Sequence, residues 1–385
     1  MKLEVVLMLP RAGYSERYTL WWEASSGAYR WDYHDGSAST YRTPTERGAR
    51  AQYVLVNTLR SGPADLRLCT ILPGQPNPLA DRALPALPST EDLRDFIFSG
   101  FVATRREGAR VERWRRVVRG AQLGGETLTY RHELLVSRST ARDQLSATPL
   151  RYAVSVDSSL LGKNFDSYMH IFEKVVFGTH DPAIFRLPLE DACDQTEITD
   201  KIHHVEPLRE FRMLQRDPRY NGVFRKFKNL YNRRYADNLE EAIRKQVLIS
   251  TNRFVSSGNR EGATFTMEVN FLGDRLRSER RLLLGADASK RGDPGEPFPH
   301  SAEDLKALRS RLPKEFNWRQ RGGVTPVRFQ FANCSSCWAF AVTGAIEGAL
   351  FAETNRLVPL SEQSILDCGG TYKTNGCKPT WPNFA

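Results

Sequence analysis

The stretch Thr325-Pro326-Val327-Arg328-Phe329-Gln330-Phe331-Ala332-Asn333-Cys334-Ser335-Ser336-Cys337-Trp338-Ala339-Phe340 decides how this chain is read. Two cysteines three apart are followed by Trp338, Ala339, Phe340, Ala341 and Val342, then by Ala345, Ile346, Ala349 and Leu350, an apolar stripe at helical spacing. Cys337 therefore opens a buried helix. A sulfur at that position meets the positive end of the helix dipole and backbone N–H groups without intrahelical partners, which favour the thiolate, the nucleophilic form. Gln330 can offer an amide N–H to an oxyanion forming beside the Cys337 backbone N–H, the stabilisation that acyl transfer requires.

By spacing alone, a structural or redox Cys-x-x-Cys accounts for Cys334 and Cys337 as well as a catalytic thiol does, since such pairs also mark thioredoxin-like sites and half zinc sites. The context argues otherwise: no second Cys-x-x-Cys and no His pair at zinc spacing follows, and no βαβ pattern precedes. The run resembles the papain-like cysteine peptidases, whose signature is Cys-Gly-Ser-Cys-Trp. The resemblance continues through Leu312-Pro313, Phe316-Asn317-Trp318-Arg319, Gly323-Val324-Thr325-Pro326-Val327, Gly344-Ala345-Ile346-Glu347-Gly348 and Leu360-Ser361-Glu362-Gln363-Ser364-Ile365-Leu366-Asp367-Cys368. It implies Cys337 as catalytic nucleophile, Gln330 as oxyanion donor, a disulfide between Cys334 and Cys377, and a bridge from Cys368 to a cysteine outside this chain. Two departures bear on the oxyanion site. Gln330 stands four residues before Cys334 where the family has three, and Ser335 replaces the glycine.

A chain of 385 residues has room for two or three domains. The 55 Lys and Arg against 45 Asp and Glu leave a net charge of +10, but the basic residues fall in short groups without stacking aromatics, so they read as solvated faces and no nucleic-acid partner is expected. No run reaches membrane-spanning length, and Met1 to Pro10 is too short and interrupted for a signal h-region. His170, His180, His203 and His204 lack ligand spacing, so neither a metal nor any cofactor is expected. Six cysteines suit an oxidising compartment, and Cys69 with Cys193 is a further conceivable pair.

Before the peptidase-like stretch lie three regions. Residues 1–195 read as an all-β domain, a small sandwich or barrel. Tyr18, Leu20 and Trp22, then Tyr29, Trp31 and Tyr33, alternate about a turn at Ser25-Ser26-Gly27, and further strands are expected at Gln52 to Leu59, Glu126 to Val136 and Leu150 to Val156. One short helix, Glu91 to Phe98, is capped by Ser89 and Asp92. This arrangement resembles the arthropod 26/29 kDa-type proteinases, a papain-family branch with a long propiece. Residues 220–280 change to helical period: Phe224, Phe227, Leu230 and Tyr231 on one face, then Leu239, Ile243, Val247 and Phe254 on another, before Phe265, Met267 and Val269 alternate as a strand. Two helices and a strand resemble the α-helical inhibitory propeptide of papain-like zymogens. Residues 281–311, with Gly285, Gly292 and Asp293-Pro294-Gly295, form a cleavable linker, and residues 312–385 are the partial helical lobe of an α+β papain-like fold.

In the family, the histidine and asparagine that complete the site lie roughly 130–150 residues beyond the cysteine. Only 385 − 337 = 48 residues follow Cys337, none of them His. The chain thus reads as a cysteine endopeptidase precursor, cut short before its catalytic His and Asn and inactive as given. Its partners would be protein or peptide substrates and its own propeptide as intramolecular inhibitor, in a secreted or lysosomal setting. The alternative is a non-catalytic, propeptide-like inhibitor or binding protein acting on cysteine peptidases.

Overall fold

The computed structural model describes residues 1–43, 52–59, 66–72, 86–102, 111–121, 126–141, 144–186, 194–195, 219–261, 264–287, 289, 299–309, 312–331, 334–372 and 376–382. Two compact units are present, Met1–Asp274 and Arg275–Ala385. The first contains β1 (Lys2–Leu9), β2 (Tyr14–Trp22), β3 (Tyr29–Tyr33), β4 (Ala38–Thr43), β5 (Gln52–Leu59), β6 (Leu66–Leu72), α1 (Thr90–Leu93), β7 (Ile97–Val102), β8 (Val111–Ala121), β9 (Thr127–Ala141), β10 (Gln144–Ser158), β11 (Gly162–Val176), β12 (Asp194–Gln195), α2 (Arg219–Leu230) and α3 (Asn238–Arg260).

The twelve strands among the described residues lie in one sheet, in the order β12-β6-β5-β4-β3-β2-β1-β11-β10-β9-β8-β7. Where a small sandwich or barrel is expected, β1 pairs antiparallel with both β2 and β11, which joins two meanders in a single hydrogen-bonded sheet. Alternation decides which face is buried. Leu3, Val5, Leu7 and Leu9 of β1 and Tyr29, Trp31 and Tyr33 of β3 point one way and are almost fully buried, with polar or half-buried residues between them. Burying each such large side chain stabilises the fold by about 2 kcal/mol.

The register carries one row across this face: Trp114, Leu134, Tyr152, His170, Leu7 and Glu16 are successive cross-strand partners. His170 Nδ1 lies 3.0 Å from the Tyr18 hydroxyl, and burial depresses its pKa to about 3, so it is a neutral core group. His180 and His170 belong to no cluster of His, Cys, Asp or Glu that could hold a metal among the described residues; His203 and His204 lie outside them.

Local expectations fared unevenly. The Ser89–Asp92 capping box is present, but α1 ends at Leu93 and Ile97 and Phe98 begin a strand. Phe265, Met267 and Val269 form no strand ladder; Met267 is instead held by Asn259, whose amide donates to its carbonyl and accepts from its N–H. In α2, Phe224 and Phe227 are buried against Leu248 of α3, while Leu230 is exposed. The buried face of α3 is not Leu239, Ile243, Val247 and Phe254 but Leu248, Ile249, Ser257 and Arg260. Apolar periodicity could not mark that face, because half of it is polar.

Candidate active site

In the second unit, α4 (Arg277–Arg281) and α5 (Ala302–Arg309) precede the loop that leads into α6 (Cys337–Thr354), and α7 (Glu362–Cys368) follows. Cys337 is the first residue of α6, with Ser336 at the cap and Trp338 and Ala339 buried directly behind it; beyond them the buried face is Thr343, Glu347 and Phe351, whereas Ala345, Ile346 and Ala349 of the expected apolar stripe are exposed. The sulfur is half-buried and unbridged, while Cys334 is joined to Cys377 and Ser335 N–H donates to the Cys377 carbonyl at 3.1 Å. Cys368 is free and exposed, and Cys193 of the conceivable Cys69 pair lies outside the described residues.

The loop carrying Gln330 is anchored from below. Glu347, nearly three turns into α6, is buried and accepts from the Thr325 hydroxyl, from Arg328 and from the Leu360 N–H, each at 2.7 Å. Burial alone would raise the Glu347 carboxyl, but the Leu360 amide, the Thr325 hydroxyl and the Arg328 guanidinium outweigh it and hold it below the usual carboxylate range. Arg328 also donates to Glu362 of α7 at 2.5 Å. Glu347 and Glu362 were visible in the sequence as part of the resemblance. Their role as the brace of the Gln330 loop was not, because a buried charge network has no periodicity.

Around the sulfur the arrangement departs from a bare site. The segment after α4, Leu282 to Asp287, runs across Cys337. Gly285 N–H donates to Cys337 Sγ at 3.1 Å, and the Ser335 hydroxyl donates to the Leu282 carbonyl at 2.5 Å. Gln330 donates to the Leu283 carbonyl at 3.0 Å and to the Cys334 carbonyl at 2.7 Å. On the far side, Thr380 N–H donates to the Gly285 carbonyl at 2.9 Å and Asp287 N–H to the Thr380 carbonyl at 3.2 Å, a short parallel bridge.

A Cβ on residue 285 would stand 2.2 Å from the Ser335 carbonyl oxygen and 2.8 Å from Cys337 Sγ, so only glycine lets the backbone come this close. Residues 281–311 are expected to be a linker with Gly285 among its breakers, yet Gly285 lies against the sulfur and Thr380. The signal that could have corrected it is an isolated glycine after the run Leu282-Leu283-Leu284, a mark of close backbone approach. The chemistry of the cleft is now legible. A peptide backbone lies over the thiol, with one carbonyl on the Gln330 amide and its neighbouring amides tied to both walls.

Residues 312–385 match the papain family cysteine protease profile, and residues 224–279 match the cathepsin propeptide inhibitor domain (I29). Procathepsin L of Rattus norvegicus is 33% identical over 173 residues, covering 44% of this chain and 49% of that protein. Digestive cysteine proteinase 2 of Homarus americanus is 32% identical over 164 residues, 41% of this chain and 49% of the relative. Among solved structures, digestive procathepsin L2 of Tenebrio molitor is 30% identical with a TM-score of 0.37, covering 43% of this chain and 54% of that one. The chain spans about half the length of the curated relatives it matches.

Proposed function

From a chain that belongs by these two segments to the papain-family cysteine peptidases and their propeptide inhibitors, we propose a cysteine endopeptidase precursor acting on protein or peptide substrates, with Cys337 as nucleophile. The thiolate attacks the scissile carbonyl carbon, and the oxyanion so formed is stabilised by Gln330 and the backbone N–H of Cys337. The observation that carries this reading is the Leu282 to Asp287 backbone itself, with its Leu283 carbonyl on Gln330 and its Gly285 N–H on the sulfur. It occupies the positions a substrate backbone would take, and its presence is an inhibited state.

The assignment covers the nucleophile, the oxyanion donor and the inhibitor. No histidine occurs after His300 in this sequence, so the group that takes up the thiol proton and returns it to the leaving amine is not assigned to any residue here. Residues 220–280 supply the folded inhibitor and residues 281–311 the cleavable connection, which reaches the sulfur at its start. The Cys334–Cys377 disulfide suits a secreted or lysosomal compartment.

The test uses the protein isolated from its own cells with an antibody to residues 312–385, before and after cutting between residues 288 and 299. Hydrolysis of a fluorogenic peptide should appear on cutting and stop when a peptidyl ketone is attached at Cys337, identified by peptide mapping. Absence of hydrolysis after cutting, or inhibition with the adduct on Cys368, would overturn the reading.

A further inference from the structure

The C-terminal half of α3 carries a set of contacts that the inhibitory reading leaves unexplained. Glu16 of β2 is 1% exposed, at the end of the buried row that runs across the sheet. Its two oxygens accept from Arg260 Nε at 2.6 Å and Nη2 at 2.7 Å, a paired fork, and from the Ser257 hydroxyl at 3.2 Å. His34 Nε2 stands 3.6 Å away, and the Arg260 guanidinium lies 5.4 Å over the Tyr33 ring. The Arg260 carbonyl in turn accepts from the Ser37 hydroxyl at 2.5 Å. Two turns back, Arg253 donates to both oxygens of Asp166 in β11, and Phe254 meets the Tyr14 ring edge-on at 6.4 Å.

Positions 253, 254, 257 and 260 share one face of α3. Near the middle of the same helix, Leu248 packs on Phe224 and Phe227 of α2, and in its first half Glu241 accepts from Lys228 of α2 at 2.8 Å. The inhibitor-type helix is therefore gripped at its first half by its own hairpin and at its second half by three separate parts of the sheet: β2, the turn at His34 to Ser37, and β11.

An ion pair sealed from water adds little net stability over an apolar contact of equal size, yet losing one partner leaves an uncompensated charge in the interior. Such a pair fixes geometry: the fork of Arg260 accepts only one placement of the helix on the sheet. We infer that the sheet is a docking platform for the inhibitor helix, with Glu16 as the residue that positions it through Arg260 and Ser257. This rests on reading residues 224–279 as the inhibitor. The helix then keeps its shape independently of Arg275–Ala385, and cutting between residues 288 and 299 frees it as part of one body, Met1–Asp274, not as an isolated peptide.

Hydrogen–deuterium exchange on the full chain tests this. Amides 250–260 should exchange at least tenfold faster in Glu16→Gln than in the unchanged protein, with β9 and β10 equally protected in both. Arg253→Ala, which removes the less buried contact, should raise exchange in the same window and serves as the second variant should Glu16→Gln fail to fold. After cutting, trypsin should open α3 no earlier than the strands in the unchanged protein, but before them in the variant. Exchange at 250–260 within twofold of the unchanged protein, in a variant whose strands remain protected, would overturn the docking role. None of these readouts depends on peptidase activity, so a failure of the Cys337 assignment and a failure of this inference are told apart.

Discussion

Replacing Gly285 by alanine should uncover Cys337. The added Cβ would lie 2.2 Å from the Ser335 carbonyl oxygen, backbone that cannot swing aside, and 2.8 Å from the sulfur, so the segment must lift. Lifting breaks the hydrogen bonds from Gly285 to Cys337, Gln330 to Leu283, Ser335 to Leu282 and Thr380 to Gly285. Each contributes about 0.5 kcal/mol at the low end, already net of the hydrogen bonds to water that replace it. A weakening of about 2 kcal/mol is a reasonable sum, which increases the open fraction about 30-fold. Alkylation by iodoacetamide, followed by mass spectrometry, reads this directly, with exposed Cys368 as the internal standard. In the unchanged chain Cys337 should label far more slowly than Cys368; in Gly285→Ala the ratio should rise by an order of magnitude or more. If Cys337 already labels as fast as Cys368, or if the substitution changes the ratio less than twofold, the occlusion argument is wrong.

Other outcomes follow from the same structure. Glu347→Ala should destabilise Arg275–Ala385 by about 1–3 kcal/mol, since the Thr325 hydroxyl and Leu360 N–H lose a buried acceptor, and chemical denaturation would read it. Cys334→Ala removes a cross-link between residues 43 apart; the chain-entropy account puts the loss at about 4 kcal/mol, and an unchanged denaturation midpoint would contradict it. For Met1–Asp274, burial lowers the His132 and His170 pKa values to about 4 and about 3, so the folded state binds fewer protons than the unfolded one below the ordinary value of 6.5. Stability should therefore fall as pH drops from 6.5, by up to about 1.4 kcal/mol per pH unit per histidine. His170→Gln should flatten that slope between pH 6 and 4 in urea titrations. Glu16 works at lower pH: burial would raise its pKa, but Arg260 overrides this and holds it at about 2, so its stabilisation is present above 4.5 and lost as pH falls towards 2.

The amino-acid order was sufficient for whatever depends on neighbours along the chain. Cys337 heads a helix as expected, although the face that helix buries past Ala339 is Thr343, Glu347 and Phe351 and not the apolar stripe; Tyr29, Trp31 and Tyr33 alternate into a buried strand face, and Gln52 to Leu59 has the bounds of β5. What joins residues distant in sequence was not legible there. That β1 would pair with β11 and make one sheet of two meanders depends on partner choice across more than 150 residues, which no local pattern encodes. The polar half of the α3 face, Ser257 and Arg260, is explained only by Glu16 arriving from the other end of the unit. Gly285 looked like a chain breaker until the sulfur and the Ser335 carbonyl were found where its side chain would have been. Periodicity reports which side of an element is dry; the identity of the group waiting on that side is settled only when the chain has closed upon itself.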